Sequence, residues 1–302
     1  MKAMILAAGL GTRLLPYTLK RPKPLFPILN KPLLSLTINR IRQAGFSGII
    51  VNAHHLRDQI KSILHQEENI ILQEEKKILG TGGGLRMALP HFGREPVLVV
   101  NGDIYHSINY RDVYRFHYEA GTDVTLVLHD YPHFNSIIVD ENGWILSFDR
   151  PEAVSAPGER SLAFTGIHVI NPGVLQTVQQ DTPYCIIDCY RKLLQRGGSI
   201  RAYLATGHFW TDMGTRANYL KLHGDLLGKK VPLYDELIQA AAAGPFMGLD
   251  NIPLDRYVKL LDWVCIGRGA VIEPGATVQR SVVWDDAIVP AGSVIKDAIV
   301  TP

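Results

Sequence analysis

The segment LAAGLGTRLLPYTLKRPKPLFPI, residues 6–28, combines a glycine-containing turn with closely spaced cationic side chains. A turn built from Gly9, Gly11 and Thr12 lets backbone N–H groups approach an anion without interference from Cβ atoms. Prolines stiffen the chain that follows. We call residues 13–31 the basic segment, and its cationic side chains are Arg13, Lys20, Arg21, Lys23 and Lys31. A rigid cationic segment suits a polyphosphate ligand; an ordinary tight turn followed by a solvated basic loop is the alternative.

The elements that must position these residues follow from the hydrophobic pattern. Short apolar runs predict strands, and apolar residues at three- and four-residue spacing predict helices between them, at 33–45 and 56–66. The predicted strands cover residues 1–8, 48–55, 69–75, 96–103, 123–130 and 199–205. This alternation predicts an α/β fold of the Rossmann-like type, with a mostly parallel sheet and helices on both faces.

Polar or glycine-rich segments follow the ends of several predicted strands. In parallel sheets of this kind, ligands bind at the carboxyl ends of the strands. We therefore expect four segments to converge on one cleft, namely GLGTR (9–13), GTGGG (80–84), NGD (101–103) and TDMGTR (211–216).

The first of these segments resembles a family signature. The sugar-1-phosphate nucleotidyltransferases share the pattern L-A-A-G-x-G-T-R-[LM]-x-P-x-T, followed by P-K, and residues 6–18 with Pro22 and Lys23 match every position. Further matches follow in family order, so that the resemblance spans residues 1–226: LGTGGGL (79–85), VVNGDI (99–104), FDRP (148–151), FTGIHVI (164–170) and WTDMGT (210–215). GTGGG and VVNGDI are most similar to N-acetylmuramate-1-phosphate uridylyltransferases and to mannose- or heptose-1-phosphate guanylyltransferases.

The resemblance implies a reaction and residue roles. A sugar-1-phosphate oxygen would attack the α-phosphorus of a nucleoside triphosphate and release pyrophosphate, without a covalent protein intermediate. Arg13 would hold the leaving pyrophosphate, Lys23 would bridge the phosphates, and Asp103 and Asp212 would share Mg²⁺. The implied catalytic residues are Arg13, Lys23 and Asp103. The implied nucleotide-binding residues are Leu6, Ala7, Ala8, Gly9, Gly11, Thr12, Arg13, Lys23, Gly80, Thr81, Gly82 and Gly83.

Each candidate metal ligand also has a purely structural interpretation. After Gly102, Asp103 could form a turn, and Asp212 could cap a helix that begins after it. Their occurrence together with Lys23 favours metal binding.

The implied sugar-phosphate-binding residues are Asn135, Arg150 and Gly166, and two of them depart from the family pattern. Arg150 stands where the family motif F-x-E-K-P has lysine, and Asp149 replaces its glutamate. Arginine can bind phosphate bidentately, whereas a surface ion pair between Asp149 and Arg150 is the alternative. Asn135 follows Phe134 where many relatives have Tyr-Gly, and could bind a sugar hydroxyl or N-acetyl group or begin a turn.

The C-terminal sequence carries a different pattern. From Ile266 it divides into six-residue units, IGRGAV, IEPGAT, VQRSVV, WDDAIV and PAGSVI, mostly with a small residue at the fourth position. These resemble the hexapeptide repeats of left-handed parallel β-helices. We therefore expect a catalytic domain at 1–226, a helical linker at 227–263 and a short β-helix at 264–302, called the tail below. Because a short solenoid exposes an uncapped end, the tail is expected to mediate homo-oligomerisation without supplying catalytic groups.

Composition excludes several other functions. Lys and Arg total 31 against 29 Asp and Glu, so the net charge of +2 gives no surface-wide field for nucleic acid or a membrane. The N-terminal apolar run is too short for a membrane span and lacks a cleavage pattern, which predicts a cytoplasmic protein. The three cysteines include no C-x-x-C pair, so neither a zinc site nor a disulfide framework is expected.

Three kinds of function remain open. The first is an active sugar nucleotidyltransferase, with UTP or GTP as donor, and the second is a catalytically silent regulatory paralogue, which would usually lose Lys23 or an acidic residue. The third, a hexapeptide acyltransferase, is disfavoured because the repeat tract is short and residues 266–302 contain no histidine. The base and the sugar stay open, since uracil and guanine both present an N–H beside a carbonyl.

Overall fold

The computed structural model describes residues 1–65, 67–148, 157–251 and 255–302. Contacts divide the chain into two units. The first unit comprises Met1–Leu10, Thr37–Gly102 and Ser107–Trp210, and the second comprises Gly11–Leu36, Asp103–His106 and Thr211–Pro302. The basic segment and the tail therefore belong to the same unit, although they lie near opposite ends of the sequence.

Strands and short helices alternate along the chain. The strands are β1 (Lys2–Leu6), β2 (Pro27–Ile28), β3 (Lys31–Pro32), β4 (Gly48–Ala53), β5 (Ile70–Glu74), β6 (Val97–Asn101), β7 (Ile104–His106), β8 (Val124–His129), β9 (Ile137–Val139), β10 (Ile145–Ser147), β11 (Arg160–Ile170), β12 (Ile200–Leu204), β13 (Trp210–Asp212), β14 (Phe246–Met247), β15 (Lys259–Ile266), β16 (Val271–Ile272), β17 (Thr277–Val283), β18 (Ile288–Val289), β19 (Val294–Lys296) and β20 (Ile299–Val300). The helices are α1 (Leu33–Gln43), α2 (Arg57–Leu64), α3 (Gly80–Phe92), α4 (Tyr110–Ala120), α5 (Ile186–Gln195), α6 (Arg216–Leu227) and α7 (Asp235–Ala242). Within the described ranges, no helix is both long enough and apolar enough to cross a bilayer.

The first unit is built on one mixed sheet. Its strands follow the order β10-β9-β11-β6-β1-β4-β5, and β8 pairs with both β11 and β12. The pairs β1–β4, β1–β6, β4–β5 and β8–β12 are parallel. All six strands predicted from the hydrophobic pattern are present, and the parallel part of the sheet is confirmed.

The centre of this sheet is covered on both faces. Val97, Leu98, Val99 and Val100 of β6 are all fully buried, although successive side chains of a strand point to opposite faces. Helices α3 and α5 contribute Phe92 and other apolar side chains to the core on one of these faces. Continuous burial of this kind is what an α/β sheet with helices on both sides requires.

Strand β11 is the main departure from a parallel sheet. It pairs antiparallel with β6, β8 and β9. Antiparallel neighbours need no crossover helix, and no helix lies between β8 and β11 in the part of that connection that the structure describes. Apolar alternation alone carries no information about strand direction, so the pattern could not reveal this.

In the second unit, the basic segment forms a series of single turns. Three 3₁₀ turns, Thr12–Leu14, Tyr17–Leu19 and Lys23–Leu25, precede the short antiparallel pair β2–β3. The prolines explain this irregular path, because they lack a donor for regular helix or sheet bonding. Such a path depends on contacts with other elements for its position.

The tail consists of stacked parallel strands. β15 pairs with β17, β17 pairs with β19 and β20, and β16 pairs with β18. Paired residues lie 17 or 18 positions apart, as in Ile266–Val283 and Lys259–Thr277, and one cluster of buried residues along these strands consists of Val, Ile and Ala. The stack begins at β14 and β15, before the first six-residue unit recognised in the sequence. The sequence did not reveal this earlier start, because β15 (KLLDWVCI) lacks the small residue that marks the later units.

Candidate active site

The second unit brings together four charged side chains of the sequence motifs, with Lys23 at the centre of the group. Lys23 is only 5% exposed and lies in a 3₁₀ turn flanked by Pro22 and containing Pro24. Its Nζ lies 2.7 Å from Asp103 Oδ2 and 3.9 Å from Asp212 Oδ1. We call Arg13, Lys23, Asp103 and Asp212 the charge cluster. Lys23, Asp103 and Asp212, from three distant parts of the sequence, therefore meet at one ammonium group. Of the four segments expected to converge, GLGTR, NGD and TDMGTR each contribute a charged side chain to this cluster, whereas GTGGG belongs to the first unit.

Arg13 completes the charge cluster from a more accessible position. Its Nη2 donates a hydrogen bond to Asp212 Oδ2 at 3.1 Å, and its side chain is 59% exposed. Glycine at position 214 leaves room for the pair, because a Cβ there would lie 2.5 Å from Arg13 Cζ and would also overlap Asp212 Oδ1, so that these side-chain ends would have to shift. The exposed guanidinium can thus reach an anion in solvent while Asp212 holds it in place.

Backbone contacts orient the two acidic residues. Asp103 lies two residues after the end of β6, and its carbonyl accepts a hydrogen bond from the Met213 N–H at 3.4 Å. Asp212 ends β13, just before helix α6, whose first turn Thr215 caps by accepting a hydrogen bond from the Asn218 N–H. The structure assigns the helix cap to Thr215, so the alternative interpretation of Asp212 as the capping residue is wrong.

Gly11 shapes the turn that leads into the basic segment. Its φ of +64° lies in the left-handed region, and a Cβ there would lie 2.8 Å from Thr18 Cγ2 and 3.5 Å from Lys23 Cβ. Thr18 Oγ1 also donates a hydrogen bond to the Gly11 carbonyl at 3.3 Å. Gly11 thereby allows the turn to pack against the residues that carry the charge cluster.

The charge cluster offers a limited set of metal ligands. No group of three or more His, Cys, Asp or Glu side chains suited to a metal occurs among the residues the structure describes. Asp103 and Asp212 nevertheless face the same ammonium group, so their oxygens point into one region. Two carboxylates fit Mg²⁺ that takes its other ligands from water and phosphate, as this ion commonly does.

A buried polar network joins strand ends in the first unit. The Ala7 N–H donates to Asn52 Oδ1 at 2.7 Å, and Asn52 Nδ2 donates to Glu75 Oε1 at 2.7 Å. The Leu79 N–H donates to Glu75 Oε2 at 3.1 Å. Gly84 leaves room for the carboxylate, since a Cβ there would lie 2.8 Å from Glu75 Oε1. The sequence motifs did not single out Asn52 or Glu75, and the run QEE looks like an ordinary polar strand end.

The predicted nucleotide-binding residues of the N-terminal turn lie at the end of β1. Leu6 is in register with Asn52 of β4 and Asn101 of β6, which places three strand ends side by side. Ala7 and Ala8 are buried, whereas Gly9 is exposed and a Cβ there would have no neighbour within 4 Å. Thr12 opens the first 3₁₀ turn of the second unit. Nucleotide binding by these residues stays a prediction.

The glycine run at 80–83 is not the loop that the motif predicted. Gly80, Thr81, Gly82 and Gly83 form the first turn of α3. The Gly82 and Gly83 N–H groups donate to the Tyr184 carbonyl at 2.9 and 3.3 Å, and a Cβ at Gly83 would lie 2.6 Å from the Thr182 carbonyl. Glycine disfavours helices, but here the absence of Cβ atoms lets a neighbouring backbone approach closely. A role in nucleotide binding stays a prediction for this turn.

Two of the three predicted sugar-phosphate-binding residues, Asn135 and Gly166, lie within the described part of the structure. Asn135 closes a turn, accepting from the Tyr131 N–H and donating to Asp130 Oδ1, both at 2.9 Å, and it also lines a cavity of about 760 Å³ with Arg160. Gly166 lies at an irregularity of β11 with φ +80°, where a Cβ would lie 2.5 Å from Asn101 Nδ2. Arg150, like Asp149, falls outside the described residues.

Known proteins resemble this chain in both sequence and fold. A sequence model of the family described as nucleotidyl transferase matches residues 2–229. The chain belongs to the nucleotidyl transferase family. It is 28% identical to a UTP–glucose-1-phosphate uridylyltransferase of Synechocystis sp., over 99% of this chain and 87% of that relative. It is 26% identical to a mannose-1-phosphate guanylyltransferase of Mycobacterium tuberculosis, over 97% and 82% respectively.

A solved structure supports the fold of this nucleotidyl transferase family member. HddC from Yersinia pseudotuberculosis superposes with a TM-score of 0.62, covering 74% of this chain and 97% of HddC, at 22% sequence identity. The matched fold confirms an α/β architecture with a parallel-dominated central sheet. The family match to residues 2–229 also agrees with the 1–226 span of the sequence resemblance.

Proposed function

We propose that this protein is an active sugar-1-phosphate nucleotidyltransferase, which transfers a nucleoside monophosphate from a nucleoside triphosphate to a sugar-1-phosphate. The observation that carries the proposal is the charge cluster, in which Lys23 contacts Asp103 and Asp212 in a member of the nucleotidyl transferase family. A silent paralogue would have no need to keep all four of these side chains. The names of the two sequence relatives support this reaction class.

In the proposed reaction, an oxygen of the sugar phosphate attacks the α-phosphorus as the bond to the leaving pyrophosphate breaks. The products are a nucleoside-diphosphate sugar and pyrophosphate. Positioning and charge stabilisation supply most of the catalysis in such phosphoryl transfers. Lys23 is a donor with little freedom to move, and it stabilises negative charge on the reacting phosphates. The exposed Arg13 binds the pyrophosphate portion.

Asp103 and Asp212 would hold Mg²⁺, which reduces the repulsion between the two anionic reactants when it is bound. The same two carboxylates also contact Lys23 and Arg13, so each cation is oriented before substrate arrives. Phosphate oxygens can then replace carboxylate oxygens as partners of the two cations. In this proposal, Asp103 and Asp212 therefore have two roles: they bind the metal ion, and they orient the Lys23 and Arg13 side chains.

We further propose UTP or GTP as the donor, in keeping with the names of the sequence relatives. The backbone near Gly80 and Thr81 is the candidate for reading the base, because the Gly82 and Gly83 N–H groups already donate within the protein. Asn135 and Gly166 are the candidates on the sugar side, together with Arg150.

The tail is proposed to form a short left-handed β-helix that mediates homo-oligomerisation. The parallel register at 17 or 18 residues supports stacked coils of three six-residue units. The partners proposed for the whole protein are the two small-molecule substrates and a second copy of the chain, and neither nucleic acid nor a membrane. The proposed location is the cytoplasm.

The test is steady-state pyrophosphate release, with four nucleoside triphosphates against a panel of sugar-1-phosphates. With the best pair, Lys23→Met should lower kcat/KM by about two to three orders of magnitude, because a preorganised charge is lost. Asp103→Asn and Asp212→Asn should lower activity and raise the Mg²⁺ concentration needed for the half-maximal rate.

Lys221→Met is the matched control, since Lys221 is an exposed lysine of α6 outside the charge cluster. It should keep the wild-type rate, and melting temperatures should establish that every variant is folded. Wild-type protein without any pyrophosphate release would instead identify a silent paralogue. Three folded cluster variants at near wild-type rates would show that the charge cluster does not carry the catalysis.

A further inference from the structure

A tail residue, Trp284, packs directly against the basic segment. Trp284 follows β17 and opens the six-residue unit WDDAIV. Its side chain is only 1% exposed, and it packs against residues outside the tail. Its ring meets the Phe26 ring edge to face, with centroids 4.9 Å apart, and the Tyr17 ring lies 6.4 Å away. Aromatic pairs of this geometry stabilise more than their buried area alone.

A cationic residue covers the same indole ring. Arg21 Cζ lies 4.6 Å from the centroid of the Trp284 ring, within the range of a cation–π interaction. The guanidinium is therefore directed at the tail, which distinguishes Arg21 from the neighbouring Lys23 in the charge cluster. Not every cation of the basic segment serves the phosphates.

Hydrogen bonds connect further points of the tail and the basic segment. Asn30 Nδ2 donates to the Ile266 carbonyl at 2.6 Å, and Cys265 Sγ donates to Asn30 Oδ1 at 3.4 Å. Lys20 Nζ contacts the carbonyl oxygen of Pro302. The tail thus contacts the basic segment both before and after Lys23.

Short backbone links carry these contacts to Lys23. The Phe26 N–H donates to the Lys23 carbonyl at 3.0 Å, which closes the 3₁₀ turn that presents the ammonium group. On the following residue, the Pro27 carbonyl accepts a hydrogen bond from Tyr219 Oη at 2.6 Å. Trp284 Nε1 in turn donates to Tyr219 Oη at 3.3 Å. Trp284 therefore fixes the turn of Lys23 through both Phe26 and Tyr219.

We propose that Trp284 is a positioning residue for Lys23, so that the tail is part of the support of the active site. The proposal rests on the proposed function and deepens it. A segment of single turns, with little regular secondary structure, cannot hold a buried ammonium group by itself. Because the reaction depends on accurate placement of this charge, a displacement of about 1 Å could cost roughly a hundredfold in rate.

The experiment compares Trp284→Leu, Trp284→Phe and Val289→Ala in the full-length protein. Trp284→Leu should lower kcat by about tenfold or more with little change in the KM for sugar-1-phosphate, because the charge that stabilises the transition state is misplaced. Trp284→Phe keeps a ring against Phe26 and should recover most of the rate. Val289→Ala removes buried volume from the core of the tail, where no contact with Lys23 is made, and should leave kcat unchanged.

A readout that does not depend on activity is hydrogen–deuterium exchange. In Trp284→Leu, amides of residues 17–30 should exchange faster than in wild type, while those of β6 should keep their protection. If Trp284→Leu does not fold, Asn30→Gly takes its place, because it removes the side-chain bonds to the Ile266 carbonyl and from Cys265 Sγ while glycine adopts the positive φ of position 30. The same decrease in kcat and the same local increase in exchange are expected.

The proposal is overturned if folded Trp284→Leu, or Asn30→Gly in its place, keeps the wild-type kcat and the wild-type exchange of residues 17–30. It is also overturned if Val289→Ala lowers kcat as much as Trp284→Leu, because any loss of tail packing would then suffice. An inactive wild-type protein would contradict the proposed function instead, and the exchange experiment would still decide whether Trp284 holds the basic segment.

Discussion

The two cations of the charge cluster differ in the freedom that the protein allows them. Lys23 is almost completely buried, and acidic residues from two other segments fix its ammonium group, whereas most of the Arg13 side chain is exposed. A buried charge is tolerated when opposite charges and hydrogen bonds compensate for lost hydration. In the proposed reaction, the fixed ammonium group of Lys23 is suited to the reacting phosphates, and the more mobile Arg13 is suited to the leaving pyrophosphate.

A substitution at Gly214 tests whether turnover requires the ion pair between Arg13 and Asp212. In Gly214→Ala, the new Cβ would lie 2.5 Å from Arg13 Cζ, so the guanidinium, the Asp212 carboxylate or both must shift from their present positions. We expect kcat/KM to fall by about tenfold or more, because Arg13 loses its orientation and Asp212, a proposed metal ligand, moves. The measurement is pyrophosphate release at several Mg²⁺ concentrations.

Gly173→Ala is the control for this change. A Cβ at Gly173 would have no neighbour within 4 Å, so the same substitution should have no effect on the rate. A Gly214→Ala protein with the wild-type kcat/KM would show that the ion pair is not required for turnover.

At the scale of elements, the sequence allowed prediction of those strands and motifs whose residue patterns are local. The six strands and the motifs at their ends could be recognised, since apolar runs and glycine or aspartate at strand ends are local features. The conformation of Gly80–83 could not, because close packing against Tyr184 overrides the low helix propensity of glycine. The contact between Trp284 and Phe26 could not be predicted for a similar reason. An apolar residue at the start of a repeat unit predicts burial, but the pattern does not indicate which side chain it packs against.

Glu75 shows an element-scale role that sequence patterns do not reveal. It is 1% exposed and joins the ends of β4 and β5 to the start of α3 through Asn52 and Leu79. Glu75→Ala should lower the free energy of unfolding by about 3 kcal/mol, because it leaves Asn52 Nδ2 and the Leu79 N–H buried without their partner. Urea denaturation followed by circular dichroism measures this change.

The neighbouring Glu74 provides the comparison. Its side chain forms partly exposed ion pairs with Arg57 and Lys61, so Glu74→Ala should cost less than about 1 kcal/mol. Equal costs for the two substitutions would mean that the buried network contributes nothing beyond a surface ion pair.

At the scale of the whole molecule, buried histidines make stability depend on pH. Burial lowers the pKa of His168 to about 3 and that of His223 to about 4. His223 is held in its neutral form by geometry as well, since Nδ1 donates to the Tyr219 carbonyl and Nε2 accepts from the Leu29 N–H. His168 packs between the rings of Phe164 and Tyr190. Each unit therefore contains a histidine that must stay neutral in the folded state.

The expected result is a loss of stability on mild acidification. Below the pKa of about 6.5 in the unfolded chain, each of these histidines binds a proton only after unfolding, so stability falls until the pH reaches the folded-state pKa. Between pH 7 and 5, this amounts to about 2 kcal/mol for each fully buried histidine.

His168→Phe keeps an aromatic ring between Phe164 and Tyr190 but removes the titrating group. Its free energy of unfolding, measured by urea denaturation from pH 7 to 5, should decrease by about 2 kcal/mol less than that of the wild type. His65→Phe changes an exposed histidine and should retain the wild-type dependence. An unchanged pH dependence in His168→Phe would show that protonation of His168 does not drive acid unfolding.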